Sequence, residues 1–192
     1  MPTLILGLVG DKAGGKGTIA KHLIEKHGAR SYAFGGILKD LLTRLHLPLT
    51  RENYIKISVN LRATFGEPLF AAAMAEDVSR DTTPLVVVDG IRRVADIDQL
   101  RGIPGFHLLY VTADPKVRWQ RSVKRAEKVG EADMTFEQFM AEEQAPTETS
   151  IADVAREAEI TIDNNGTFDE LHVQVEKAVA AFGYAGADLT HR

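Results

Sequence analysis

The chain has 192 residues, 44% of them hydrophobic, with a net charge of −4 and no cysteine. That length suits one α/β domain with a full core. The net charge excludes a general basic surface for nucleic acid, and the missing cysteines exclude disulfides and thiolate metal sites.

Leu4–Val9 is continuously apolar and ends in glycine, so it reads as a buried strand. It is too short for a signal-peptide core or a membrane span and lacks a basic flank, which leaves a cytoplasmic, non-membrane protein as the expectation. Gly15–His27 reads as a helix with Ile19, Ala20, Leu23 and Ile24 on one face, and Ser31–Phe34 as a short strand. Gly36–Leu45 is helical and Pro48 closes that unit. Glu52–Phe65 and Glu67–Ser79 read as helices separated by Gly66. Leu85–Asp89 is a strand framed by Pro84 and Gly90. Val94–Arg101 is a helix, Phe106–Thr112 a strand and Pro115–Lys128 a helix. Thr135–Gln144 is a helix whose cap is Thr135, with Gln138 three residues on. Glu159–Asp163 is the last strand, Asn164-Asn165-Gly166 a turn, Phe168–Phe182 the closing helix and Gly183–Arg192 a frayed tail. Strands alternating with helices predict a parallel sheet covered on both faces.

The richest stretch is Gly10-Asp11-Lys12-Ala13-Gly14-Gly15-Lys16-Gly17-Thr18, directly after the first strand. Strand, G-x-x-x-x-G-K loop and helix in that order form the context of a phosphate-binding P-loop. Glycines let consecutive backbone N–H groups close around a polyphosphate, and the helix adds its positive N-terminal end. Lys16 supplies a point charge to the β- and γ-phosphates of a nucleoside triphosphate. The residue after the motif lysine is usually Ser or Thr and reaches Mg2+ through its hydroxyl. Here it is Gly17, which leaves Thr18 to touch a phosphate or to reach the metal through water.

Three further constellations carry chemistry. In Val86-Val87-Val88-Asp89-Gly90-Ile91-Arg92-Arg93, an acid ends a central strand where such sheets bind ligands. Asp89 is placed to hold Mg2+ or its waters, and Arg92 or Arg93 to clamp an acceptor phosphate. Lys39 and Arg62 are further acceptor-side cations. Arg118, Arg121 and Arg125 fall on one helix face, where three like charges repel unless an anion or nearby acids such as Glu127, Glu131 and Glu137 neutralise them. Trp119, on the same helix, reads as packing. The six histidines show no metal spacing.

The G-K-G-T ending resembles that of adenylate-kinase-like nucleoside monophosphate kinases. Asp89-Gly90-Ile91-Arg92 is similar to their D-G-F-P-R motif, with Ile91-Arg92 in place of Phe-Pro. Phe34-Gly35-Gly36-Ile37-Leu38-Lys39 is similar to their T-G-D-x-L-R stretch, with Gly36 for the acid and Lys39 for the arginine. The segment from Ile160 to Leu171 resembles the end of dephospho-CoA kinases and of a related archaeal-type family of uncharacterised P-loop proteins. Asp114-Pro115, Arg121-x-x-x-Arg125 and Gln144-Ala145-Pro146 extend that likeness. The resemblance implies a three-layer P-loop kinase fold with a five-stranded parallel sheet. Its core would span residues 1–36, 81–123 and 152–183, with an acceptor-binding segment over about 37–80, a lid over about 124–151 and a tail over 184–192. It also implies that Asn165 and Gly166 lie near the nucleotide base, and that Arg121 and Arg125 act as lid arginines in catalysis beside Lys16 and Asp89.

The leading expectation is therefore an ATP- and Mg2+-dependent kinase of a nucleoside or deoxynucleoside monophosphate, working as a monomer or homodimer with a small-molecule phosphate acceptor as its partner. A second reading is a dephospho-CoA kinase-like enzyme that phosphorylates a hydroxyl, with Asp89 as base. A third is a nucleotide-binding regulatory protein with slow hydrolysis.

Overall fold

A computed structural model describes residues 1–125, 131–144 and 146–186. The strands are β1 (Leu4–Gly10), β2 (Arg30–Ala33), β3 (Leu85–Asp89), β4 (Phe106–Thr112) and β5 (Ile160–Asp163). All pair in parallel, in the order β2-β3-β1-β4-β5. β1 is buried along its whole length because it lies between β3 and β4 with helices on both sides. The helices are α1 (Lys16–His27), α2 (Phe34–Arg44), α3 (Arg51–Phe65), α4 (Leu69–Arg80), α5 (Val94–Leu100), α6 (Pro115–Arg125), α7 (Phe136–Glu143), α8 (Pro146–Ala155) and α9 (Phe168–Ala181). No helix among the described residues is long and apolar enough to cross a membrane.

Strand alternation sorts the core into two layers. Leu4, Leu6 and Leu8 point to one face and pack with Ile19 and Leu23 of α1 and with Leu171 and Val175 of α9. Ile5 and Val9 point to the other face, against Phe34 of α2, Phe70 and Met74 of α4, Ile97 of α5, and Ile151 and Val154 of α8. The result is the expected three-layer α/β fold.

The chain leaves β1 towards β2 on one side of the sheet and leaves β4 towards β5 on the other. The switch between those directions falls between β1 and β4. Parallel sheets bind ligands at the carboxyl ends of their strands beside such a switch. Register aligns those ends: Leu8 pairs with Asp89, Gly10 with Val111, and Thr112 with Asp163.

Most elements lie where periodicity places them, with local differences. Phe34 opens α2 instead of ending β2. α4 starts at Leu69, two residues after Glu67, because Pro68 occupies its cap. α6 is described to Arg125, and residues 126–128 of the expected helix lie outside the described residues. α8 is a helix that periodicity did not single out. Pro146 occupies its first position, where a missing N–H costs nothing.

α9 is tied to α1 by a carboxylate clasp. Glu176 Oε1 lies 2.8 Å from His22 Nε2 and 3.0 Å from His27 Nε2, while its Oε2 lies 3.1 Å from Lys26 Nζ. Burial alone would raise the carboxyl, but hydrogen bonds from His27, His22 and Lys26 outweigh it and push it down to about 2. A carboxyl depressed below its unfolded value of about 4.3 stabilises the fold above that pH and loses the contribution as pH falls through the folded value. Glu176→Gln is therefore expected to lower the melting temperature at neutral pH and to flatten its fall between roughly pH 4 and pH 2. Melting followed by circular dichroism across that range checks this, and an unchanged acid limb counts against the clasp.

Candidate functional site

The loop after β1 is shaped by close backbone approaches. A Cβ on Gly10 would lie 2.1 Å from the Val111 carbonyl oxygen, so only glycine lets β1 run this close to β4. The Asp11 carboxylate turns back to the sheet, where its Oδ2 accepts from the Thr112 hydroxyl at 2.7 Å and the Tyr110 hydroxyl at 3.0 Å. The Gly14 N–H donates to Asp11 O at 3.0 Å. Gly15 caps α1 at φ 112°, with no side chain satisfying the first N–H groups of the helix. Those donors and the helix dipole leave an anion-binding end. The Lys16 ammonium bridges the loop, donating to Gly10 O at 2.6 Å and Asp11 O at 3.0 Å.

A cavity of about 810 Å3 opens over this loop. Ala13, Gly14, Gly15, Lys16, Gly17 and Thr18 line its floor, and Asp89 of β3 lines it as well. Arg121 and Arg125 of α6 line the same cavity. Arg121 Nη1 is buried with no hydrogen-bond partner among the described residues. Burial also pushes this guanidinium below its ordinary pKa. A buried guanidinium nitrogen without a partner is costly, and a bound anion would relieve it. Asp89 Oδ1 accepts from the Gly90 N–H at 2.7 Å.

Oxygen donors suit Mg2+, which takes one or two carboxylates together with phosphate oxygens and water. Thr18 and Asp89 supply that kind of donor to one cavity. No group of three His, Cys, Asp or Glu among the described residues forms a self-contained metal cage. The residues thus fit a metal that arrives with phosphate.

The other expected site residues lie elsewhere. Lys39 is exposed on α2 and does not line the cavity. Arg62 of α3 is packed over the Phe70 ring at 4.9 Å, with its Nη2 3.6 Å from Asp96 Oδ1 and its Nη1 bonded to Glu67 O. Burial first, and then the charge of Arg93, hold its guanidinium below the ordinary value. Arg93 Nη1 meets Glu67 Oε2 at 2.8 Å. Arg92 is exposed, and its N–H joins that of Arg93 in donating to Asp96 Oδ2, each at 3.1 Å. Of the acceptor-side cations, Arg62 and Arg93 are thus tied by their side chains to Glu67 and Asp96, and none of Lys39, Arg62, Arg92 and Arg93 lines the loop cavity.

In the last turn, Asn165 Oδ1 accepts from the Asp114 N–H at 2.7 Å, and its Nδ2 donates to Asp163 Oδ1 at 2.6 Å. With Gly166 it borders a separate shallow cavity of about 520 Å3 beside Glu170. Asn164 is the residue that lines the loop cavity, and Lys21, His22, Glu25, Phe168 and His172 extend its rim. The signal for Asn164 was available: it follows the buried Ile162 at a spacing of two and keeps that face of β5. Phe168 is 69% exposed although apolar, and His172 stacks on His22 at 3.9 Å, so the rim offers aromatic surface beside the phosphate loop.

Arg118 does not join Arg121 and Arg125 in the cavity. It is buried and donates to Ala113 O at 2.8 Å and to Lys12 O at 3.4 Å. Its guanidinium also grips both carboxylate oxygens of Glu143 on α7. Lys12 Nζ lies 2.8 Å from Glu142 and 3.5 Å from Glu131, and Arg125 Nη2 lies 3.4 Å from the same Glu131. Trp119, expected only to pack, also donates from Nε1 to Met134 O at 2.7 Å. These contacts dock α7 on α6 and the loop, with Phe139 fully buried between them. Glu127 lies outside the described residues, as does Ala145.

Comparison with known proteins agrees with the fold. A family model described as an AAA domain matches residues 10–140. A UPF0200 protein of Thermococcus kodakarensis is 28% identical over 181 residues, covering 92% of this chain and 96% of its own. One from Pyrococcus furiosus is 26% identical over 182 residues, with the same coverage of 92% and 96%. Among solved structures, a sugar kinase from a Janibacter species superposes with a TM-score of 0.58 at 17% identity, covering 99% of this chain and all of its own. A shikimate kinase from Bacteroides thetaiotaomicron gives 0.57 at 13%, covering 94% and 98%. At such identities these likenesses speak for the fold, which is that of P-loop kinases.

Proposed function

We propose that this chain, which belongs to the AAA domain family, is an ATP-dependent phosphotransferase acting on a small molecule. One observation carries the reading: a single cavity gathers Lys16, Asp89, Arg121 and Arg125 around the open N-terminus of α1. Loop N–H groups and Lys16 would hold the β- and γ-phosphates. Arg121 and Arg125 would meet the charge that spreads over the equatorial oxygens in transfer. Thr18 and Asp89 would hold Mg2+, which when bound neutralises phosphate charge. An acceptor oxygen forms a bond to the γ-phosphorus, the bond from that phosphorus to the β,γ-bridging oxygen breaks, and ADP leaves.

A nucleoside or deoxynucleoside monophosphate is the leading acceptor. Its phosphate is already anionic and needs no base, and Arg62, Arg92, Arg93 and Lys39 are the cations of the acceptor segment that would receive it. A second reading, transfer to a hydroxyl, is favoured by the pairing of Arg62 and Arg93 with Glu67 and Asp96. Those acids already neutralise the would-be clamps. In that case the hydroxyl proton passes to the Asp89 carboxylate. The residues at 37–80 serve as the acceptor segment and those at 124–151 as the lid in both readings.

The test is ADP release from Mg-ATP with a panel of acceptors: nucleoside monophosphates, dephospho-CoA, gluconate and shikimate. Stimulation by a monophosphate of at least about tenfold over water supports the first reading, and stimulation by a hydroxyl compound the second. Tight ATP binding without stimulation by any acceptor overturns the transferase and leaves a nucleotide-binding regulator.

A further inference from the structure

We infer that Asn164 is a positioning residue for the phosphate loop, acting through the Gly14–Gly15 peptide. The inference rests on the nucleotide-binding reading of this cavity and extends it to a residue outside the loop motif. Asn164 is 94% buried at the end of β5, where its N–H donates to Thr112 O at 2.8 Å. Its carboxamide Nδ2 donates to Gly14 O at 2.8 Å. In a planar trans peptide the C=O and the following N–H point in opposite directions. Holding the Gly14 carbonyl towards β5 therefore turns the Gly15 N–H to the other side of the loop and keeps it available to an anion.

The neighbouring geometry allows no other side chain at Gly15. A Cβ there would lie 2.1 Å from Asn164 Nδ2, and φ is already +112°. The loop and the end of β5 thus interlock. Lys16 holds the loop from one side through Gly10 O and Asp11 O, and Asn164 holds it from the other through Gly14 O. Without Asn164 the Gly14–Gly15 peptide can rotate, and one phosphate donor is lost part of the time. The expected consequence is weaker phosphate binding by about tenfold, the effect of one hydrogen bond to a charged partner.

The test is titration calorimetry with ADP and with inorganic tripolyphosphate on the wild-type chain, Asn164→Ala and Asn164→Asp, beside melting curves without ligand. Asn164→Ala is expected to bind both ligands about tenfold more weakly, with a raised KM for ATP and kcat nearly unchanged. Asn164→Asp has the same shape, presents an acceptor to the Gly14 carbonyl at neutral pH, and regains the donor when protonated. Its affinity, taken relative to wild type at the same pH, should therefore recover as pH falls towards 5. Wild-type affinity in Asn164→Ala, or no recovery in Asn164→Asp together with a lowered melting temperature in both, overturns the positioning role. If the wild-type chain binds neither ADP nor tripolyphosphate, the nucleotide reading falls and this inference with it.

Discussion

Lys16→Ala is expected to lower phosphotransfer by roughly 100- to 1,000-fold, the loss seen when one preorganised charge is removed from a developing oxyanion. The same variant should keep its fold. Lys16 is half-buried and its ammonium serves two loop carbonyls, Gly10 O and Asp11 O, while none of its atoms belongs to the hydrophobic clusters on either face of the sheet. Losing two hydrogen bonds at a partly solvated site costs about 1 kcal/mol each or less. Activity and stability should therefore separate: kcat for ADP release collapses, and the melting temperature moves by a few degrees. Lys16→Arg is expected to rescue little, because a planar guanidinium is bulkier than an ammonium and its fork does not match a converging phosphate cradle. Turnover of Lys16→Ala at the wild-type rate with any acceptor sinks the assignment of this loop as the donor site.

The parts of the site that could be read from sequence share one property: their information is local. β1 and its loop are a short apolar run followed by glycines and a lysine at fixed spacing, and Asp89 ends an uninterrupted apolar strand. What could not be read depends on partners distant in the chain. The spacing of Arg118, Arg121 and Arg125 places them on one face of α6 but does not say what lies opposite each. Glu143 of α7 meets the first, the loop cavity the second, and Glu131 the third. Likewise nothing around Arg62 announces Asp96, 34 positions later, as the acid it faces. α8 escaped for a different reason. Its first turn after Pro146 is polar, and only Ile151 and Val154 carry the apolar stripe that helical periodicity needs. In the Asn164-Asn165-Gly166 turn, both asparagines suit a turn equally by composition. Only the alternation of β5 separates the one that faces the loop from the one that braces Asp114.

Arg118→Ala is expected to be the most destabilising single change near the site, by about 2–4 kcal/mol, because it removes the buried partner of a part-buried ion pair and leaves the other charged. Arg118 is only 5% exposed. It satisfies two backbone carbonyls, Ala113 O and Lys12 O, holds both oxygens of Glu143, and packs over the Phe139 ring at 5.7 Å. The Asp11 carboxylate lies 3.8 Å from its Nε. Truncation therefore strands the acid on α7 and two carbonyls, and opens space beside Phe139. The loss should appear in urea denaturation as a lower midpoint with an unchanged slope. Arg118→Lys should recover little of it, since one ammonium cannot serve Glu143 in two-point fashion and also reach Ala113 O. Arg118→Met with Glu143→Leu separates charge from packing. If desolvation nearly cancels attraction in the pair, the apolar double variant is about as stable as wild type, within roughly 1 kcal/mol. That double variant would still lack the bond to Lys12 O and the hold of α6 on α7, so it should fold yet bind nucleotide more weakly. Wild-type stability in Arg118→Ala would mean that α7 does not rest on this arginine. Wild-type nucleotide affinity in the double variant would mean that the loop holds its shape without help from α6.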